Sequence, residues 1–219
     1  MKHLFRFGSS FALIMAIIVA LAPAALPALA GSGGEVLPSG ARPQGYSLAA
    51  AAKATASFNV GSRTPDTLPQ DFPFQILYTP LDSASNSFSV NPGTMLYVPL
   101  VFSDDNDRAL WPYPDVTDPA AVSAYYFDKQ QLGAEIVRVV VDGKATDLGP
   151  AYAVGAVTPG LPSGGNNYTV VAAFLSPLSS GVHTVKIINR FTGAFIALHP
   201  EIWPDGVFEF EGTYTVVVR

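Results

Sequence analysis

From Ser57 to Arg219, valine, isoleucine, tyrosine and phenylalanine fall in short runs, broken at close intervals by proline, glycine, asparagine and aspartate. Apolar runs of strand length between turn-forming residues leave little room for long helices and point to a β architecture. The pattern predicts strands at Phe74–Tyr78, Ser87–Val90, Met95–Phe102, Ile136–Val141, Tyr168–Leu175, His183–Asn189 and Phe208–Val218, with weaker ones near Phe58–Val60, Lys144–Leu148 and Phe195–Leu198. In the last run Tyr214, Val216 and Val218 share one face, and Thr213, Thr215 and Val217 the other. His183, Val185 and Ile187 alternate with Thr184, Lys186 and Ile188 in the same way. Such alternation belongs to antiparallel strands with one face buried and one in water. Asp142-Gly143, between two such runs, supplies the positive φ angles of a two-residue hairpin turn.

One segment departs from the β pattern. Asp118 is a helix-capping residue, Pro119 suits a first helical position, and AAVSAYYF follows, which predicts a short helix over Pro119–Phe127. Together these elements predict an all-β fold: a two-sheet antiparallel sandwich, Ig-like or jelly-roll-like, with one short connecting helix.

The N-terminal residues have a different composition. Lys2, His3 and Arg6 precede an apolar run from Phe11 to Leu21, and Ala28-Leu29-Ala30 closes the segment. A basic head, an apolar stretch and a small-x-small site predict a signal peptide over residues 1–30 and an exported protein, periplasmic or secreted. Pro23 and Pro27 interrupt the run before it reaches the roughly 20 residues of a membrane-spanning helix, so no stable membrane anchor is expected after cleavage. Residues 31–56 are rich in Gly, Ala, Ser and Pro and predict a flexible leader; Ala49–Ala54 can form a helical turn but lacks an apolar stripe to dock it. Residues 57–219 are then a single sandwich domain.

Beyond Ala30 the chain has 10 basic and 17 acidic residues, a net charge of −7 without charge blocks. With no Lys/Arg cluster to neutralise a run of phosphates, nucleic acid is not an expected partner. The chain contains no cysteine, which excludes disulfides, thiol nucleophiles and thiolate metal sites, and leaves the core to stabilise the fold alone.

Two stretches resemble known exported proteins. Pro177-Leu178-Ser179-Ser180-Gly181-Val182-His183-Thr184-Val185 and the closing Tyr214-Thr215-Val216-Val217-Val218 resemble the terminal strands of bacterial Ig-like modules. Asn91-Pro92-Gly93-Thr94, Ser103-Asp104-Asp105, Tyr126-Phe127-Asp128 and Val141-Asp142-Gly143 look like stretches of uncharacterised bacterial exported β-sandwich proteins. The resemblance implies the fold and carries no activity with it.

Several residue groups are candidates for chemistry. Asp104, Asp105 and Asp107 put carboxylates on one loop, the ligand type Ca²⁺ prefers, although the spacing of an EF-type loop is absent and a solvated turn is the commoner role of such residues. No other cofactor is expected. His183 shares a strand face with Val185 and Ile187, which suits a rim histidine bonded to backbone; a metal or catalytic pair with His199 is the alternative. No Gly-x-Ser-x-Gly turn is present for a Ser-His-Asp hydrolase, and Ser179-Ser180-Gly181 reads as a turn. Glu209 and Glu211 lie about 7 Å apart on one strand face, but as its outward positions. With Glu35, Glu135 and Glu201 they are the only glutamates, so a carbohydrate-active lyase or hydrolase using surface Asp/Glu is the secondary expectation. The leading one is a non-catalytic binding or structural module for an extracellular protein or glycan, with Trp111, Tyr113 and Trp203 in stiff Pro-containing loops as contact residues. Their alternative role is to plug the ends of the sandwich. Exported protein should begin near Gly31; N-terminal mass spectrometry that finds Met1–Ala30 retained would contradict the export assignment.

Overall fold

In the computed structural model, residues 33–80, 86–107 and 112–219 are described, without the side chain of Asp107. The signal-peptide assignment at 1–30 and the position of Trp111 lie outside the described residues.

Nine strands form two packed sheets, β1 (Gln75–Ile76), β2 (Ser87–Val90), β3 (Leu96–Asp104), β4 (Ala134–Val141), β5 (Lys144–Asp147), β6 (Ala153–Val157), β7 (Asn167–Leu175), β8 (Gly181–Phe191) and β9 (Phe208–Val218). The four-stranded sheet has the order β1-β3-β7-β6 and the five-stranded sheet β2-β9-β8-β4-β5. The sandwich is as expected, but the sheets are mixed rather than purely antiparallel. One edge strand of each pairs in parallel: β1 with β3, and β2 with β9. Parallel partners come from distant parts of the chain, so no local turn signal announces them.

Local signals formed the expected elements elsewhere. Helix α2 spans Pro119–Phe127, and the Asp118 carboxylate accepts from the Ala120 N–H at 2.8 Å. Asp142 and Gly143 take φ values of 49° and 85°, and the strands they join pair from Val141↔Lys144 outward. Val185, Ile187, Tyr214, Val216 and Val218 are buried while Thr184, Thr213 and Thr215 are exposed, so the alternation on β8 and β9 marks the inner face correctly.

Among the described residues there are three α-helices rather than one. α1 spans Leu48–Val60 and α3 spans Ala194–Ala197. The weak strand signals at Phe58–Val60 and Phe195–Leu198 therefore fall at the end of α1 and on α3. The expectation of a flexible leader over 31–56 is also corrected. Leu37 N–H donates to the Phe174 carbonyl at 2.9 Å, and Ser176 N–H to the Glu35 carbonyl at 2.9 Å, so the leader lies against the end of β7. Ser47 then caps α1 by accepting from Ala50 N–H at 3.2 Å. The helix docks through Ala51, Ala52 and Ala56, all fully buried, flanked by Leu48 and Phe58. A seam of alanines carries little hydrophobic contrast, which hides the docking face from a search for an apolar stripe.

The core therefore has two parts, one on each side of the four-stranded sheet. Leu96, Val98, Leu100, Val171, Ala173 and Leu175 face the five-stranded sheet, with Val122 and Tyr126 of α2 and Ile196 of α3 joining them. Tyr97, Tyr168, Val170, Ala172 and Phe174 face α1. Pro99 sits in β3, an inner strand of this sheet, where it has no N–H for the ladder. The register shifts between Pro99 and Val101, and the amide of Asn189 on β8 crosses the sandwich to donate to the Leu100 carbonyl at 2.9 Å. A backbone group released by the proline is thus satisfied from the opposite sheet.

If α1 is an integral layer, Ala52→Leu should overpack the seam and destabilise the protein by about 1–3 kcal/mol in chemical denaturation. An unchanged midpoint would mean that the helix is not packed there.

Candidate binding site

The structure employs most of the polar groups singled out above as struts. The acidic loop leads out of β3. Asp105 is buried, and its carboxylate accepts from Asn166 N–H at 2.6 Å, Asn167 N–H at 3.1 Å and the Asn167 amide at 2.8 Å. Asp104 accepts from Asn106 N–H at 2.8 Å, closing an Asx turn. The Asp105 carboxylate is thus committed to N–H donors of the segment that leads into β7. Among the described residues no cluster of three or more His, Asp or Glu has metal-ligating geometry.

His183 ties two turns together. Nδ1 lies 2.6 Å from Oδ2 of Asp142 in the hairpin turn, and Nε2 lies 2.8 Å from the Ser179 carbonyl in the corner before β8. Ser179, His183 and Asp142 thus have the composition of a hydrolase triad but not its bonding. Nε2 lies nearer the Ser179 carbonyl, at 2.8 Å, than Ser179 Oγ, at 3.4 Å, so the ring engages the backbone of the corner rather than the hydroxyl. His199 follows α3 at the other end of β8, with eight residues or roughly 26 Å of strand between His183 and Phe191, so the two histidines do not form a pair.

Each glutamate with a side-chain partner in the structure lies on the surface. Glu35 meets Lys144, Glu211 meets Lys186, Glu201 meets His199, and Glu135 and Glu209 both grip Arg190. Hydrogen bonds from Thr192 and Arg190 hold the Glu135 carboxyl below its ordinary range, and the His199 ring does the same for Glu201. Carboxylates held ionised in this way are poor general acids.

Of the aromatic candidates, Tyr113 and Trp203 lie among the described residues, and both pack against the core. The Tyr113 hydroxyl donates to the Ser103 carbonyl at 2.8 Å and lies 3.1 Å from Thr169 Oγ1, and its ring lies 5.7 Å from Tyr125. Burial raises its phenol well above the ordinary tyrosine value, so it remains a neutral donor. Trp203 is half-buried and packs on Phe195 at 5.7 Å and Phe208 at 6.1 Å, closing the α3 end of the sandwich. Both rings cover core at the ends of the sandwich, the plugging role that the sequence also allowed them.

The concave feature lies elsewhere, where the two parallel edge strands approach each other. A groove of about 400 Å³ opens between β1 and β2. It is lined by Phe72, Pro73, Phe74 and Val90 together with Gln75, Ser89, Asn91, Thr94 and Arg219. Phe72 is clamped by ring contacts to Tyr46 at 5.5 Å, Phe74 at 5.1 Å and Tyr97 at 5.6 Å. The Arg219 N–H donates to the Val90 carbonyl at 3.2 Å, which seats its side chain beside β2. Among the described residues, the side chains of Ser89, Asn91, Thr94 and Arg219 make no hydrogen bond or ion pair, unlike the Asp105, Asp142–His183 and glutamate groups. Sequence reasoning missed these residues because only the parallel β2–β9 pairing brings Ser89 and Arg219 together.

Asp105→Ala should lower stability by about 2–4 kcal/mol, because it strands buried N–H donors. If the loop is a solvated turn, the wild-type melting temperature should not respond to EDTA; a chelator-dependent melt would support the calcium assignment. In comparisons with known proteins, the chain matches no family model, no curated protein and no solved structure.

Proposed function

We propose that this protein is a non-catalytic binding module that works outside the cytoplasm and takes a small ligand into the groove between β1 and β2. The observation that carries this assignment is the contrast in hydrogen bonding. Asp105 and the Asp142–His183 contact tie segments of the chain together, whereas the groove gathers Ser89, Asn91, Thr94 and Arg219, whose side chains have no hydrogen-bond or ion-pair partner among the described residues. Polar side chains converging on a concave surface are the groups that orient a bound ligand. The N-terminal pattern supports the compartment. The surface ion pairs of the glutamates favour a binding role over glycoside cleavage, which needs a carboxyl group free to give up a proton.

A screen of small polar compounds by amide chemical shifts tests this. Hits should cluster at Gln75, Ser89, Asn91 and Thr94, and Thr94→Trp, which fills the groove, should remove them without lowering the melting temperature by more than a degree or two. Hits confined to other surfaces, or unaffected by Thr94→Trp, would refute the assignment.

A further inference from the structure

We propose that this chain forms a two-fold homodimer in which β2 pairs edge to edge with β2 of a second copy; the pairing does not depend on what the groove holds. β2 is an edge strand of the five-stranded sheet. Across its parallel pairing with β9, the Thr215 N–H donates to the Asn86 carbonyl and the Arg219 N–H to the Val90 carbonyl. In a parallel pair alternate residues turn both backbone groups to one neighbour. Asn86, Phe88 and Val90 therefore face β9, and Ser87 and Ser89 turn their N–H and C=O to the open side. Both serines are exposed, and among the described residues no backbone group outside the sheet reaches them.

The other three sheet edges are guarded. β1 has only two residues, and the Gln75 side-chain amide donates to the outward Ile76 carbonyl at 2.8 Å. β5 carries Lys144 and Asp147, and α2 packs against β6. Short strands, edge charges and covering helices are the means by which sheets avoid adding further strands. β2 carries neither charge nor proline, and no helix packs on it among the described residues.

Charge and symmetry then select a second copy. The chain has a formal net charge of −5, yet residues 83–103 contain no charged residue. The outward positions of β9 in register with β2 are Thr215 and Val217, while Glu209 and Glu211 lie farther along the strand, paired with Arg190 and Lys186. Two acidic molecules can thus meet at β2 without like charges opposed. With the two-fold axis at Phe88, Ser87 lies opposite the partner's Ser89, and Ser89 opposite the partner's Ser87. Each such antiparallel pair exchanges two backbone bonds, so every outward group finds a partner. Phe88, half-buried between Tyr78 at 5.4 Å and Tyr214 at 6.0 Å, meets its own counterpart in the closer, non-hydrogen-bonded position.

Sedimentation equilibrium on the purified protein, up to about 1 mM, should fit a reversible monomer–dimer equilibrium. Ser89→Pro removes an N–H that points away from β9, where an edge strand tolerates proline. This variant should stay monomeric and, at concentrations where the wild type is monomeric too, melt as the wild type does. Charge variants test the register without relying on that substitution. Ser87→Lys with Ser89→Lys, and Ser87→Glu with Ser89→Glu, each set like charges opposite one another and should be monomeric. Mixed together, the two set opposite charges against each other and should dimerise again. A wild-type monomer throughout, a dimer indifferent to Ser89→Pro, or a mixture that stays monomeric would overturn the pairing. So would a wild-type monomer that takes an added extended peptide at Ser87 and Ser89, which would give the edge to a different partner.

Discussion

Burial of β7 on both faces is the constraint on which the rest of the fold depends. From Tyr168 to Leu175 every residue of this strand is buried, so the four-stranded sheet has no wet side. A sheet of this kind needs a layer on each face. The five-stranded sheet provides one and α1 the other, and the leader is ordered along β7 because it must deliver α1 to that face. The alanine seam lets the helix approach closely. The polar atoms trapped beneath it are partly satisfied across the interface, where the Asn59 amide donates to the Tyr168 hydroxyl at 2.7 Å. On the sandwich side Thr169 plays the matching part, gathering hydroxyls from Tyr113, Tyr126 and Ser103.

With both faces covered, the groups able to do chemistry are drawn into holding loops. Asp105 anchors the turn before β7, and His183 joins the hairpin turn to the corner before β8. Asn189 meets the carbonyl that Pro99 sets free. Each replaces a packing contact that a loop-rich sandwich without disulfides lacks. What remains for a ligand is the seam where the sheets end on β1 and β2, an open edge with unoccupied side chains.

Much of this was legible in the sequence. The Asp118-Pro119 helix start, the Asp142-Gly143 turn and the alternation on β8 and β9 are local signals, and local signals survive folding. The signal for a third layer was also present: Tyr168-Thr169-Val170-Val171-Ala172-Ala173-Phe174-Leu175 is nearly continuous rather than alternating, the mark of a strand buried on both sides. Its partner was obscured because Ala51, Ala52 and Ala56 read as low-complexity leader, although Ser47 marked the helix start. The groove was not legible. Ser89, Arg219 and Phe72 come from separate parts of the chain, and two parallel edge pairings with no turn between them bring them together.

Native-state hydrogen exchange tests the central claim, that α1 is a structural layer of a sheet buried on both faces. Amides in the middle of α1, from Ala52 to Phe58, should open with a free energy close to that of β7, because stripping the helix exposes Tyr97, Tyr168 and Phe174 together. If those amides exchange as fast as an unstructured peptide while β7 remains protected, the helix is an appendage and the three-layer account is wrong.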